Sequence, residues 1–142
     1  MLKALFRSLL SIVVFLYRRT GGKFGGTMQG LPVLLLTTTG RKTGRKRTTP
    51  LGYFEHDGGY VITASNAGFD THPAWFHNLK SNPHVTLEIR EKHLAAMAEP
   101  ANPELHQQLW ARLVELAPGY RAYQTRTTRE IPIVILRPLS KT

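Results

Sequence analysis

The chain has no cysteine, which excludes disulfides, thiolate metal sites and a cysteine nucleophile. Acidic residues are scarce, and Glu55, Asp70, Glu88 and Glu99 show no pairing that marks an acid–base dyad. The six histidines include no pair at zinc-protease spacing, and His72 and His77 lie five apart, a poor match to one helical face. No metal is expected. The apolar run Ile12–Tyr17 is too short to span a bilayer. A P-loop is missing as well, since it would need Lys-Ser/Thr directly after Gly44. Ser65, Asp70 and His72 supply the residue types of a hydrolytic triad, but no nucleophile-elbow motif surrounds Ser65. A chain this poor in catalytic motifs points to binding, or to an enzyme whose cofactor supplies the difficult chemistry.

What is present is a globular composition, 142 residues with 42% hydrophobic and 20% charged content, sized for one domain. Nineteen Lys and Arg against nine Asp and Glu give a net charge of +10, which predicts an anionic partner. The charge is clumped: Arg41, Lys42, Arg45, Lys46 and Arg47 form one focus, and Lys3, Arg7, Arg18, Arg19 and Lys23 another. Met1–Tyr17 is rich in Leu, Phe, Val and Ile, with Lys3, Arg7, Ser11 and Arg18 near one helical face. That pattern predicts an amphipathic helix lying in a membrane interface, or one docked on the chain's own core or a partner. Arg18-Arg19 stands where a secretory cleavage site would need small residues. The body is therefore expected in the cytoplasm, peripheral on the membrane's cytoplasmic face if the helix binds lipid. Gly21-Gly22 and Gly25-Gly26 read as a hinge. The division expected is residues 1–26 as helix and hinge, and 27–142 as the folded body. Deleting Met1–Arg19 is expected to leave that body soluble.

The body reads as short strands: Leu31–Thr39, Arg47–Glu55, Tyr60–Ser65, Val85–Arg90, Lys92–Ala98 and Ile131–Leu136. Gly40–Gly44 is a basic turn, and Asp57-Gly58-Gly59 has hairpin-turn chemistry. Pro73 suits the first turn of a short helix ending near Ser81. Leu105, Leu109, Leu113 and Leu116 mark an amphipathic helix over Pro103–Leu116, and Tyr120–Thr127 adds a further helical turn or two. Six strands with inserted helices predict a mainly β, α+β fold, a small barrel.

Two segments carry candidate chemistry. Thr37–Gly44 combines turn amides, hydroxyls and cations, the makings of an anion cradle; as a bland alternative it is a solvated basic hairpin. Ser65–Gly68 followed by His72–Leu79 places a small-residue loop before a helix start. There Trp75 is either a flat wall for an aromatic ring or a helix anchor.

At these residues the chain resembles the deazaflavin-dependent nitroreductase family, small reductases that use coenzyme F420. The resemblance runs from about Leu31 to Arg137. It rests on LLTTTGRKTG at Leu35–Gly44, Thr49-Pro50-Leu51, Asp57-Gly58-Gly59, Ser65 with its loop, Pro73-Ala74-Trp75 with Asn78-Leu79, Asn82-Pro83, and YRAYQTRTTREIPIV at Tyr120–Val134. It implies a split β-barrel like that of flavin-nucleotide oxidases, and a reductase passing a hydride from reduced F420 to a lipophilic acceptor such as a quinone or nitroaromatic. It also implies roles. Arg41, Lys42, Thr43 and Arg47 hold the cofactor's phosphate and acidic tail. Thr49, Pro50 and Leu51 run beside the deazaflavin ring. Ala64, Ser65, Asn66, Ala67 and Gly68 surround the ring and ribityl chain. Pro73, Trp75, Asn78 and Leu79 complete the pocket, and Tyr120 and Tyr123 serve the substrate. The chain departs from the pattern at Gly52, where an aromatic is expected, with Tyr53 one place later.

Two other classes stay open at this point. One is a protein that binds F420, a flavin or a tetrapyrrole with little turnover. The other is a basic nucleic-acid module, against which stands the lack of aromatics interleaved in the Arg41–Arg47 cluster.

Overall fold

The apolar run that opens the body becomes a nine-residue barrel strand covered on both faces. In the computed structural model, which describes residues 2–139 and the side chains of residues 8–139, helix α1 (Leu2–Arg19) precedes strands β1 (Thr27–Met28) and β2 (Leu31–Thr39). Alternate residues of β2 point to opposite sides. Leu34 and Leu36 face the barrel interior, whereas Val33 and Leu35 pack under Val14 and Tyr17 of α1. A strand buried on both faces reads as a continuous apolar run rather than an alternating one, and this one does.

The remaining elements are β3 (Lys46–Gly52), β4 (Phe54–His56), β5 (Gly59–Thr63), a 3₁₀ turn (Asn66–Gly68), α2 (Ala74–Ser81), β6 (His84–Ile89), β7 (Lys92–Pro100), α3 (Pro103–Leu116), α4 (Tyr120–Thr125) and β8 (Ile133–Pro138). The sheet is antiparallel throughout, in the order β1-β2-β6-β7-β8-β5-β4, with β3 paired to β2. Lys46–Gly52 pairs with β2, and after Tyr53, whose amide donates to the Pro32 carbonyl at 2.9 Å, Phe54–His56 pairs with β5. One stretch of chain therefore serves both ends of the sheet and curls it into a half-barrel. The fold is the split-barrel type expected from the resemblance.

Period-two alternation sorts the core. Val134 and Leu136 of β8 look inward with Ile62 and Trp75, while Ile133 and Ile135 look outward against Leu109 and Leu113 of α3 and Tyr120 of α4. The α3 start is fixed by Asn102, whose side chain accepts from the Leu105 amide at 2.9 Å, with Pro103 behind it.

The sequence reading differs from the structure in detail. β1 is additional, and the expected strand Arg47–Glu55 is broken at Tyr53 because its two halves pair with different partners. Pro73 is the helix N-cap rather than part of the first turn. The glycine segment is a packed turn, not a free hinge: Gly22 is buried, its amide donates to Tyr17 O at 2.8 Å, and a Cβ on Gly26 would fall 2.1 Å from Gly22 O. α1 is anchored at its C-terminal half. Tyr17 is 1% exposed, and its hydroxyl donates to Val33 O at 2.9 Å and accepts from the Arg90 amide at 2.7 Å. Arg18 makes a two-pronged bond to Glu88, at 2.9 and 2.7 Å. Leu9, Ile12 and Phe15 stay exposed on the opposite side, and the side chains of Lys3, Leu5 and Arg7 lie outside the described residues. Among the described residues, no helix is long and apolar enough to cross a membrane.

Candidate functional site

The basic turn is built by hydrogen bonds that splay its side chains outward. Gly40 N donates to Arg45 O at 2.7 Å and Gly44 N to Gly40 O at 2.8 Å; Gly44 sits at φ +72°, where a side chain is disfavoured. The Thr43 hydroxyl accepts from the Arg45 amide at 3.2 Å. Arg41, Lys42, Arg45, Lys46 and Arg47 are all exposed, and none has a carboxylate within 4.0 Å among the described residues.

Asn78 joins this turn to α2. It is 5% exposed, its side-chain oxygen accepts from the Arg41 amide at 3.1 Å, and its nitrogen donates to the Thr38 hydroxyl at 3.2 Å. Asn78 is thus a brace for the turn. Trp75 and Leu79 of the same helix lie in the inner core with Leu34 and Ile62, so Trp75 anchors the helix rather than presenting a flat wall. His77 lies within this positive field and is kept from adding to it: burial first, then Arg41 and Lys80, hold its pKa below the usual histidine value.

β3 pairs with β2 along one edge and with no strand along the other among the described residues. The backbone of Thr49, Pro50 and Leu51 therefore has one side without a ladder partner. Pro50, which has no N–H, costs that edge no donor. Gly52 is buried, and a Cβ there would lie 3.3 Å from Leu31 and 3.4 Å from the Tyr120 hydroxyl. The missing aromatic at Gly52 thus has a physical reason: Tyr120 reaches into that space from α4.

The loop after β5 is held in an unusual shape. Asn66, Ala67 and Gly68 have φ of 47°, 55° and 79°, three left-handed residues in succession. Such a run persists only when its surroundings fix it. Arg129 does so: its guanidinium donates to Ala64 O at 3.2 Å, Ser65 O at 2.8 Å and Phe69 O at 2.9 Å, and to His72 Nδ1 at 2.9 Å. Because arginine only donates, His72 accepts at Nδ1 and carries its proton on Nε2. Burial, then Arg129, keep the His72 pKa low. Gly68 is required twice, since a Cβ would also press on Tyr123 O at 3.0 Å. Sequence reasoning missed Arg129. Its partners lie roughly sixty positions away, and no local signal marks it.

Tyr120 and Tyr123 meet edge to face, their ring centroids 5.4 Å apart. Tyr120 is 6% exposed; burial, then Tyr123, push its hydroxyl up to about 12. Tyr123 is half-buried, with the Arg126 guanidinium 5.7 Å from its ring centroid and the Gln29 side-chain amide donating to its hydroxyl. The predicted residues thus form an arc: basic turn, α2, the Ala64–His72 loop braced by Arg129, and α4. Trp75 and Leu79 support it from the core. No cluster of His, Asp and Glu that could hold a metal occurs among the described residues.

A family model described as F420H(2)-dependent quinone reductase matches residues 9–138. An F420H(2)-dependent quinone reductase of Mycobacterium tuberculosis is 42% identical over 127 residues, 85% of this chain and 84% of its own length. A solved F420-H2 dependent reductase superposes with a TM-score of 0.68 at 40% identity, covering 75% of this chain and 94% of that one. A solved domain-swapped dimer reaches a TM-score of 0.69 at 33% identity, covering 96% and 100%. With most of its length matched by the family model, this chain belongs to the F420H(2)-dependent quinone reductase family, whose cofactor is coenzyme F420.

Proposed function

We propose that this chain reduces a lipophilic quinone with F420 held between the basic turn and the free edge of β3. The observation that carries the placement is five exposed cations without carboxylate partners beside a strand edge without a ladder partner, both among the described residues. A ligand bearing a phosphate and glutamate carboxylates is what such a surface fits, and arginine favours phosphate through paired hydrogen bonds. Arg41, Lys42, Thr43 and Arg47 hold the anionic end. Thr49, Pro50 and Leu51 offer backbone to the ring, and Ala64, Ser65, Asn66, Ala67 and Gly68 enclose it. Pro73, Trp75, Asn78 and Leu79 keep the arc in place from behind. The reduced deazaflavin supplies a hydride when bound. What remains for the protein is to seat the acceptor and provide a proton. Tyr123, half-buried and hydrogen-bonded, suits that task better than Tyr120, which holds its proton tightly and braces the Tyr123 ring. Nitroaromatics fit the same hydride chemistry.

The decisive experiment removes charge. Lys42→Ala with Arg47→Ala is expected to weaken F420 binding, read by cofactor fluorescence, and wild-type affinity should fall with added salt because these ion pairs are exposed and screened. A double variant that binds F420 as tightly as wild type at low salt overturns the placement.

A second reading follows from the exposed face of α1. Leu9, Ile12 and Phe15 are each more than half exposed while the inner face of the helix is docked. We infer that this outer face rests on an anionic membrane, with Arg19 toward the headgroups, which places the enzyme where lipophilic quinones dissolve. Arg18 does not contribute, because Glu88 holds it. Co-sedimentation with anionic liposomes is expected for the full chain and should be lost in Leu9→Ser/Ile12→Ser/Phe15→Ser. Full-length protein that ignores such vesicles ends this reading.

A further inference from the structure

Gln29 occupies a position that local rules give to other residues. It forms with Gly30 the two-residue turn between β1 and β2, where Met28 pairs with Leu31. Gln29 has φ +54° and Gly30 φ +84°. A hairpin turn with both central residues left-handed favours Asn, Asp or Gly at the first place. Glutamine there carries strain without a local benefit, and strain kept in a structure is a reason to look for a task.

The side chain supplies one. Its amide nitrogen donates to the Tyr123 hydroxyl, 94 positions away. Its amide oxygen lies against Gly119, where a Cβ would fall 2.6 Å from it. Gly119 has φ −61° and ψ −22°, an ordinary helical conformation open to any residue. The absence of a side chain at 119 leaves room for the Gln29 amide in this position. The Tyr123 ring is meanwhile fixed by the edge-on Tyr120 and by Arg126 over its face.

We propose that Gln29 is a positioning residue for the reduction, holding the Tyr123 oxygen so that the phenol proton is free for the quinone. This rests on the reading that Tyr123 serves the acceptor. An amide nitrogen has no acceptor capacity, so in this contact the Tyr123 oxygen must accept and its proton stays unused. Reduction of a quinone to the hydroquinone adds one hydride and one proton. The hydride is supplied by the reduced cofactor, which is thereby oxidised. The proton leaves Tyr123 Oη for the quinone oxygen as the O–H bond there forms, and solvent, which reaches the half-buried Tyr123, returns a proton to Oη.

Three variants test it. Asparagine suits the left-handed turn but is one methylene short of the hydroxyl. Gln29→Asn is expected to keep or raise Tm and leave F420 affinity unchanged, yet lower kcat about tenfold, the size of one lost hydrogen bond. Gln29→Glu keeps the length, but its carboxylate only accepts and draws the Tyr123 proton inward. Its kcat relative to wild type should fall at neutral pH and recover as pH falls toward the carboxyl range, which a purely structural role would not produce. In a Tyr123→Phe background, Gln29→Asn should add no further loss. If Tyr123→Phe is impaired while Gln29→Asn and Gln29→Glu turn over like wild type, the role of Gln29 is overturned and that of Tyr123 stands. Wild-type turnover in Tyr123→Phe overturns the underlying reading itself.

Discussion

Arg129 shows how one side chain can set a loop from a distance. Its four contacts tie three carbonyls and the His72 ring to one guanidinium, in a segment with three consecutive left-handed residues. Lysine cannot reproduce a planar fork that serves several acceptors at once. Arg129→Lys is therefore expected to lower stability by about 1–3 kcal/mol and to weaken F420 binding. Chemical denaturation and cofactor titration on the same variant check both. Beside it, His72 and His77 have depressed pKa values, caused first by burial and then by nearby cations. The unfolded chain takes up those protons near the ordinary value of 6.5 while the folded chain resists them. Their stabilisation is thus present above about pH 6.5 and is lost as pH falls below it. Tm should drop between pH 7 and 5, with a flatter slope in His72→Gln/His77→Gln. An identical slope in wild type and variant would remove these histidines as the cause. The cations of the Arg41–Arg47 turn were visible in the sequence because they are adjacent. Arg129, Gln29 and the fit of Tyr120 against Gly52 were not, because each depends on a partner brought close only by folding.

At the scale of elements, α1 was legible as an amphipathic helix, but its two apolar sides were not separable by hydropathy. Val14 and Tyr17 face the barrel, and Leu9, Ile12 and Phe15 face away. The inward face depends on the outward surface of β2, which a helical pattern does not report. Deleting residues 1–19 would therefore uncover Val33 and Leu35 and leave Glu88 without Arg18, contrary to the expectation of an independent soluble body. Arg18→Ala alone is expected to destabilise by about 1–3 kcal/mol, since it strands a carboxylate in a largely buried site. Arg19→Ala, whose side chain has no hydrogen bond or ion pair among the described residues, should be near neutral. Thermal melts of the two variants decide this. Added Glu88→Gln should return part of the loss in Arg18→Ala, because a neutral amide tolerates the site better than an unpaired charge.

Across the whole molecule, the fold class was readable because turn residues and alternating strands repeat at short intervals along the chain. Strand order was not, since β2–β6 and β5–β8 pair across long separations that no local pattern encodes. The place of β8 has a consequence for how the protein comes into being. β8 is the last strand in chain order, yet it lies inside the sheet, between β7 and β5. The hairpins β2–β3, β4–β5 and β6–β7 can each zip locally as they emerge from the ribosome. Apart from the continuous run through Tyr53, no strand ladder joins the two halves of the sheet until Ile133–Pro138 arrives. A nascent chain stalled before that point holds two open edges, the situation most prone to mispairing with a neighbour. The sheet is thus closed late, in one step that waits for β8, and both edges stay exposed until that strand is made.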